Sequence, residues 1–290
     1  MMKRAIIILI VLFIVSLIII LLIDIHITPH ELFCKKFYND VYIEQKIYDD
    51  LTDCELVIAM PVYNVNIKTL RRRIEYLTQG IRKWSIFLYG LDSSNIETIN
   101  DLLLWKSQSH NVKLVEKLSQ TSTHRTIRIA QIRNTILKTI SIENSVGDNA
   151  YILVYDGDHV GPMSKNGLID SIIQLEMKDE LFAISACGTI TVIPGFDLMY
   201  DSFAYRGYNE GDKFPLLYSS IINIYSRVRS SFSGACLYRW RELKNYRYPL
   251  DSNVCEHVSL NLLMCKEMNK YMVMSKLWRI NIGFGQNSVL

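Results

Sequence analysis

Between Leu56 and Ala186 the chain alternates short apolar runs with segments whose apolar residues recur at helical spacing. Leu56-Val57-Ile58-Ala59-Met60 reads as a strand closed by Pro61. Ile67, Leu70, Ile74 and Leu77 then mark one face of a helix that Gly80 ends. Trp84 to Tyr89 is a second strand, a helix runs through Ile99, Leu102 and Leu103, and Val112 to Val115 is a third strand. Thr126 to Ile140 is helical, with Ile129, Ile132, Ile136 and Ile140 on its apolar side. Tyr151 to Tyr155 is a strand, Leu168 to Met177 a helix and Leu181 to Ala186 another strand. Parallel neighbours need a long crossover, usually a helix, so this order predicts an α/β sheet with helices on both faces. In such sheets ligands collect at the carboxyl ends of strands.

Two of those ends carry reactive side chains. One is Pro61-Val62-Tyr63-Asn64. The other is Asp156-Gly157-Asp158, directly after Tyr151-Ile152-Leu153-Val154-Tyr155. Asp156 and Asp158 are two apart, so in extended backbone their carboxylates leave on the same side. Gly157 adds no side chain between them, which predicts close approach of a ligand to the backbone. Paired carboxylates are hard oxygen ligands for Mn²⁺ or Mg²⁺. Such an ion suits chemistry in which a diphosphate leaves. An acidic turn closing a strand has the same three residues.

The N-terminus is of a different kind. Residues 1–4 include Lys3 and Arg4, and Ala5 to Ile23 is apolar throughout except for Ser16. At ~1.5 Å per residue that run crosses roughly the ~30 Å hydrocarbon core. It lacks the small-residue cleavage site of a signal peptide and has no polar face. The expectation is one transmembrane anchor, oriented as a type II protein by Lys3 and Arg4. Residues 24–50 read as a stem and 51–290 as one large domain. Lys plus Arg is 32 against Asp plus Glu 29, a net charge of +3, which gives no electrostatic case for nucleic acid. Arg71-Arg72-Arg73 reads as a solvated helix face. The six cysteines form no C-x-x-C pair, so structural zinc is not expected, while an oxidising lumen would permit one or two disulfides.

The later chain is less regular. Tyr200 through Pro215 is an aromatic, glycine-containing loop, and long loops in compact domains tend to be functional. Ser233-Gly234-Ala235-Cys236 opens a short strand to Tyr238. Glu256 to Met268 is a helix with Leu260, Leu263 and Met264 inward, and Tyr271 to Met274 closes the sheet.

An N-terminal anchor, a first strand ending in Pro-Val-Tyr-Asn and a later one ending in Asp-x-Asp together resemble a GT-A glycosyltransferase, a Rossmann-like α/β fold. Three further stretches, in this order, resemble the fungal capsule-associated alpha-mannosyltransferase family. They are Arg128-Ile129-Ala130-Gln131-Ile132-Arg133-Asn134-Thr135-Ile136-Leu137, Tyr200-Asp201-Ser202-Phe203-Ala204-Tyr205-Arg206 and Cys255-Glu256-His257-Val258-Ser259-Leu260. The resemblance spans roughly Leu56 to Ile280, in a chain shorter than that family leads one to expect. It implies a nucleotide-sugar donor (GDP-mannose or a UDP-sugar) and a glycan or glycoconjugate acceptor, and with the anchor the expected place is a Golgi or ER membrane in a eukaryote and otherwise a host-derived or cell membrane.

It also implies roles. Asp156 and Asp158 hold the metal. Arg133 and Asn134, with Arg128 as a weaker candidate, lie in the nucleotide-sugar site, where an arginine fork suits diphosphate. A surface arginine explains Arg133 equally well. Glu256 faces the acceptor hydroxyl as general base, or caps its helix electrostatically. His257 completes the metal shell or contacts phosphate, and His159 is either a substrate contact or a loop residue. Asp201 and Arg206 bind sugar or acceptor, or pair with each other. Tyr63 and Asn64 hold base or ribose. Two other functions fit the same carboxylates: an anchored metal-dependent phosphoesterase or nucleotidyltransferase, and a non-catalytic tethered binding protein of the same fold.

Overall fold

The computed structural model describes residues 54–282 apart from 144–145, 159–162, 194–195, 210, 218–220, 222 and 252. The predicted anchor, tail and stem, with Cys34 and His159, lie outside the described residues. Among the described residues no helix is long and apolar enough to cross a membrane.

Among the described residues ten strands form one mixed sheet. In chain order the elements are β1 (Glu55–Pro61), α1 (Ile67–Thr78), β2 (Lys83–Tyr89), α2 (Ile96–Gln108), β3 (Val112–Leu114), α3 (Arg125–Ile142) and β4 (Tyr151–Tyr155). There follow α4 (Lys165–Met177), β5 (Leu181–Ile193), β6 (Phe196–Met199), β7 (Arg206–Gly207), β8 (Tyr225–Ser230) and β9 (Ala235–Arg239). The short α5 (Trp240–Leu243), then α6 (Glu256–Met268) and β10 (Tyr271–Asn281), come last among the described residues. The sheet order is β3-β2-β1-β4-β9-β5-β10-β8-β7, with β6 paired to β5.

The first part follows from residue type. Val57 and Ala59 on β1 face one core while Leu56, Ile58 and Met60 face the other. A strand buried on both faces needs such a continuous apolar run. On the first side lie Ala130 and Ile136 of α3 and Val258, Leu260 and Met264 of α6. On the second lie α1, α2 and α4, through Leu70 and Ile74, Leu102, and Leu168 and Ile172. The predicted face of α1 is buried as read: Ile67, Leu70, Ile74 and Leu77. Asn66, Asn95 and Ser164 start α1, α2 and α4 by accepting the backbone N–H of Thr69, Glu97 and Gly167. Gly167 has a second reason to be glycine. A Cβ there would lie 2.3 Å from the Trp278 backbone, so α4 rides directly on β10.

β1 pairs in parallel with both β2 and β4, and β2 with β3. The chain leaves β1 in one direction and returns to its other side as β4, so a switch point lies between them. The β1–β4 register runs from Leu56 opposite Tyr151 to Ala59 opposite Val154, which sets Pro61 level with Asp156. Gly157 is buried in this junction. A Cβ there would stand 3.1 Å from the Met60 sulfur and 3.4 Å from the Pro61 carbonyl. The space kept by this glycine is thus taken by the end of β1, and the ligand approach expected of it is not what fills it.

The second part departs from the sequence reading. β9 runs antiparallel to both β4 and β5. β5 and β10 extend well beyond their predicted ends, and β8 and the short β6 and β7 went unforeseen. These strands mix polar and apolar residues and lie toward the other edge of the sheet. Cys187, Cys236, Cys255 and Cys265 are free thiols, and among the described residues no disulfide forms.

Candidate active site

Arg133 is the centre of the residues that converge at the carboxyl end of β4. It lies on the buried side of α3, only 4% exposed, where the helical pattern placed it beside the apolar stripe. Its Nη2 donates to Asp156 Oδ1 at 2.7 Å and its Nε to Glu256 Oε1 at 3.3 Å. One guanidinium therefore joins the acidic triplet after β4 to the first residue of α6. Burial opposes a charge on Arg133, but Asp156 and Glu256 outweigh it and raise the guanidinium further. The Arg133 Nη1 has no hydrogen-bond partner.

Aromatic rings enclose this cation. Its Cζ lies 5.0 Å from the Phe232 ring centroid and 5.8 Å from that of Tyr248. The His257 imidazole stacks on Phe232 at 3.5 Å and meets Tyr248 edge-on at 5.4 Å. Burial, helped by the Arg133 charge, holds His257 well below the usual imidazole range, so the ring is neutral at pH 7. The 3.6 Å approach of its Nε2 to Glu256 Oε1 is thus neither an ion pair nor a hydrogen bond. Both ring nitrogens lack hydrogen-bond partners.

Asp201 faces the same end of the sheet. Its backbone is left-handed (φ 72°), as is that of Ser233 (φ 51°), and the two strained residues are tied together. Asp201 Oδ2 accepts from the Ser233 N–H at 3.1 Å and Oδ1 from the Ala204 N–H at 3.2 Å. Burial raises the Asp201 carboxyl, the two N–H donors lower it, and the nearby charges of Asp156 and Glu256 raise it again. Gly234 accepts the Asp156 N–H at 3.0 Å, so the turn before β9 also fixes the acidic triplet. Tyr200, its hydroxyl pushed up to about 12 by burial, also feels Asp156, Asp158 and Asp201. Negative charge is in excess here, with Asp158 exposed.

The remaining candidates lie outside this cluster around Arg133 or make contacts of their own. The Asn134 amide is committed to the Tyr248 backbone, donating to its carbonyl at 2.9 Å and accepting its N–H at 2.7 Å. Asn64 (φ 50°) ties down the β2–α2 loop, donating to Ser94 Oγ at 2.8 Å and accepting the Asn95 N–H at 3.0 Å. Tyr63 beside it is 55% exposed, an open ring at the carboxyl end of β1. Arg128 is exposed and near Asp92. Arg206 donates to the Tyr205 and Phe203 carbonyls, folding back on its own loop rather than reaching Asp201. Glu256 opens α6 as read. Phe232, Ser233 and Tyr248 were missed. The only local sign was Ser233-Gly234, a turn signal.

No protein-family model and no curated protein sequence matches the chain. Solved structures do resemble its fold. One is Staphylococcus aureus TarS (residues 1–349) in complex with UDP-GlcNAc, with a TM-score of 0.51 and 14% identity over 80% of this chain. Another is the mannosyltransferase PcManGT from Pyrobaculum calidifontis in complex with GDP-Man and Mn²⁺, with a TM-score of 0.50 and 11% identity over 85% of this chain. The matches cover 59% and 64% of those two chains. The chain thus has a mixed α/β fold shared with nucleotide-sugar-binding proteins, a mannosyltransferase among them.

Proposed function

We propose that this protein is a metal-dependent glycosyltransferase that uses a nucleotide sugar and is tethered to a membrane by residues 5–23. The observation that carries the reading is the placement of Asp156-Gly157-Asp158. The triplet stands at the switch point of a fold shared with nucleotide-sugar-binding structures, its first carboxylate bonded through Arg133 to Glu256. Mannose from GDP-mannose is the donor favoured by the motif order, while the fold is shared equally with a GDP-Man complex and a UDP-GlcNAc complex.

The donor set fits one divalent ion of the Mg²⁺ or Mn²⁺ type. Such ions take one or two protein carboxylates and complete their shell with phosphate and water. Asp156 and Asp158 supply these, with Asp156 Oδ1 occupied by Arg133. When bound, the ion neutralises charge on the leaving diphosphate. Arg133 holds Asp156 in place and balances its charge. Glu256 Oε2, whose neighbour is the weak thiol donor of Cys255 at 3.7 Å, is the atom left to accept the acceptor hydroxyl's proton. Asp201 shapes the acceptor side by fixing the Ser233 turn. A two-metal phosphoesterase needs more ligands. Among the described residues no group of three or more His, Cys, Asp or Glu is arranged to hold an ion.

The test is the full chain in detergent, offered GDP-mannose, UDP-GlcNAc and other UDP-sugars with and without Mn²⁺. One donor should be hydrolysed or transferred in a Mn²⁺-dependent manner and protected by EDTA. Failure to bind or turn over any nucleotide sugar overturns the reading. Release of the chain from membranes by carbonate washing overturns the anchor alone.

A further inference from the structure

We infer that Tyr248, which no motif marks, is a positioning residue of this site, holding Arg133 where it bridges Asp156 and Glu256. The inference rests on the reading of Asp156 and Asp158 as the metal-binding end.

Arg133 has to sit between two carboxylates on different elements. A long flexible side chain loses much entropy in being fixed so. Its two ion pairs do not immobilise it alone, because Asp156 is 30% exposed and follows a strand end, while the Nε contact to Glu256 is long at 3.3 Å. Nη1 bonds to nothing. What closes around the guanidinium is a wall of rings. Tyr248 and Phe232 both face its Cζ, and His257 joins the two rings from behind.

Tyr248 lies in irregular chain between α5 and α6, so no ladder of strand or helix fixes it. The Asn134 side chain does so instead. It mimics a β-bridge, pairing with both backbone groups of Tyr248. Asn134 directly follows Arg133, so one helical turn carries both the cation and the clamp for the ring against it. The Tyr248 hydroxyl is buried without a hydrogen-bond partner and burial raises it further. A hydroxyl left so is a cost, so what the site gains from Tyr248 comes from the ring face.

The test uses the full chain in detergent and two readouts: Mn²⁺ binding by electron paramagnetic resonance, and kcat and KM for whichever nucleotide sugar of the panel is turned over. Tyr248→Leu removes the ring face. It should weaken Mn²⁺ binding at least threefold and lower kcat at least tenfold, with donor KM changed less. Tyr248→Phe keeps the face and should recover most of both losses. Asn134→Ala releases the clamp and should shift both readouts in the direction of Tyr248→Leu. It decides the matter if the leucine variant does not fold. Wild-type Mn²⁺ affinity and kcat in the folded variants, or a phenylalanine variant as impaired as the leucine one, overturns the role of Tyr248 and leaves the metal reading intact. A wild-type chain that binds no Mn²⁺ overturns the metal reading, and Tyr248 with it.

Discussion

The two sides of the sheet meet at Arg133 but are built by different rules. From β3 to β4 every neighbouring pair is parallel and helices cover both faces. From β9 to β7 the strands mix directions, and their connections combine irregular chain with α5 and α6. The first side supplies Asp156, Asp158 and Arg133 from a strand end and a helix face. The second supplies Glu256, Asp201, Phe232 and Tyr248 from turns, a helix start and irregular chain. A regular framework places few groups reproducibly. The irregular half adapts around them and uses strained backbone at Asp201 and Ser233 to do it. On this reading the first side handles the donor and the second the acceptor.

The largest effect should come from cutting the junction. Arg133→Ala leaves Asp156 and the buried Glu256 without their shared partner. Losing one member of a buried ion pair costs roughly 3–5 kcal/mol. Chemical denaturation of the variant should show a loss of that order. A loss under about 1 kcal/mol would mean the two sides are not held together there.

Next come two variants that should separate the sides. Asp158→Asn should lower donor hydrolysis and transfer alike by roughly a hundredfold, about 3 kcal/mol of transition-state stabilisation, with the melting temperature unchanged because Asp158 is exposed. Glu256→Gln keeps size and hydrogen bonding. It should leave donor binding near wild type while transfer to acceptor falls by roughly tenfold to a hundredfold. Equal loss of donor binding in both would erase the division.

The smallest effect is on pH. His257 is held neutral, with its folded pKa below the unfolded value of about 6.5. Below about pH 6.5 the unfolded chain binds a proton that the folded chain refuses, so this residue's contribution to stability is intact above that pH and is lost as pH falls. The slope from one such group is at most about 1.4 kcal/mol per pH unit. His257→Phe, which keeps a ring for stacking on Phe232, should flatten the decline in stability from pH 6.5 to 5. Asp201 acts in the opposite sense. Its carboxyl is raised, so its ionisation is more costly in the folded state and falling pH relieves that cost. An unflattened decline in the phenylalanine variant would assign the acid sensitivity to other groups.

The amino-acid sequence determined the parallel half, because there local pattern and global position coincide. The face of α1 and the strand Tyr151–Tyr155 came out at or near their boundaries, since strands buried on both faces must be apolar throughout and helices must show a stripe, and on the other side only the helix Glu256–Met268 did as well. It also marked Asp156, Asp158, Arg133 and Glu256 as residues of interest. Only the tertiary structure decided what they do to one another. That Arg133 spends its hydrogen bonds on Asp156 and Glu256 depends on contacts between residues 23 and 123 positions away. Asn134 and Tyr248 are likewise paired across 114 positions. Composition and periodicity report which face of an element is buried. They carry no information on which distant side chain will satisfy a buried charge or a backbone amide, because that choice is made by packing once the chain has closed on itself.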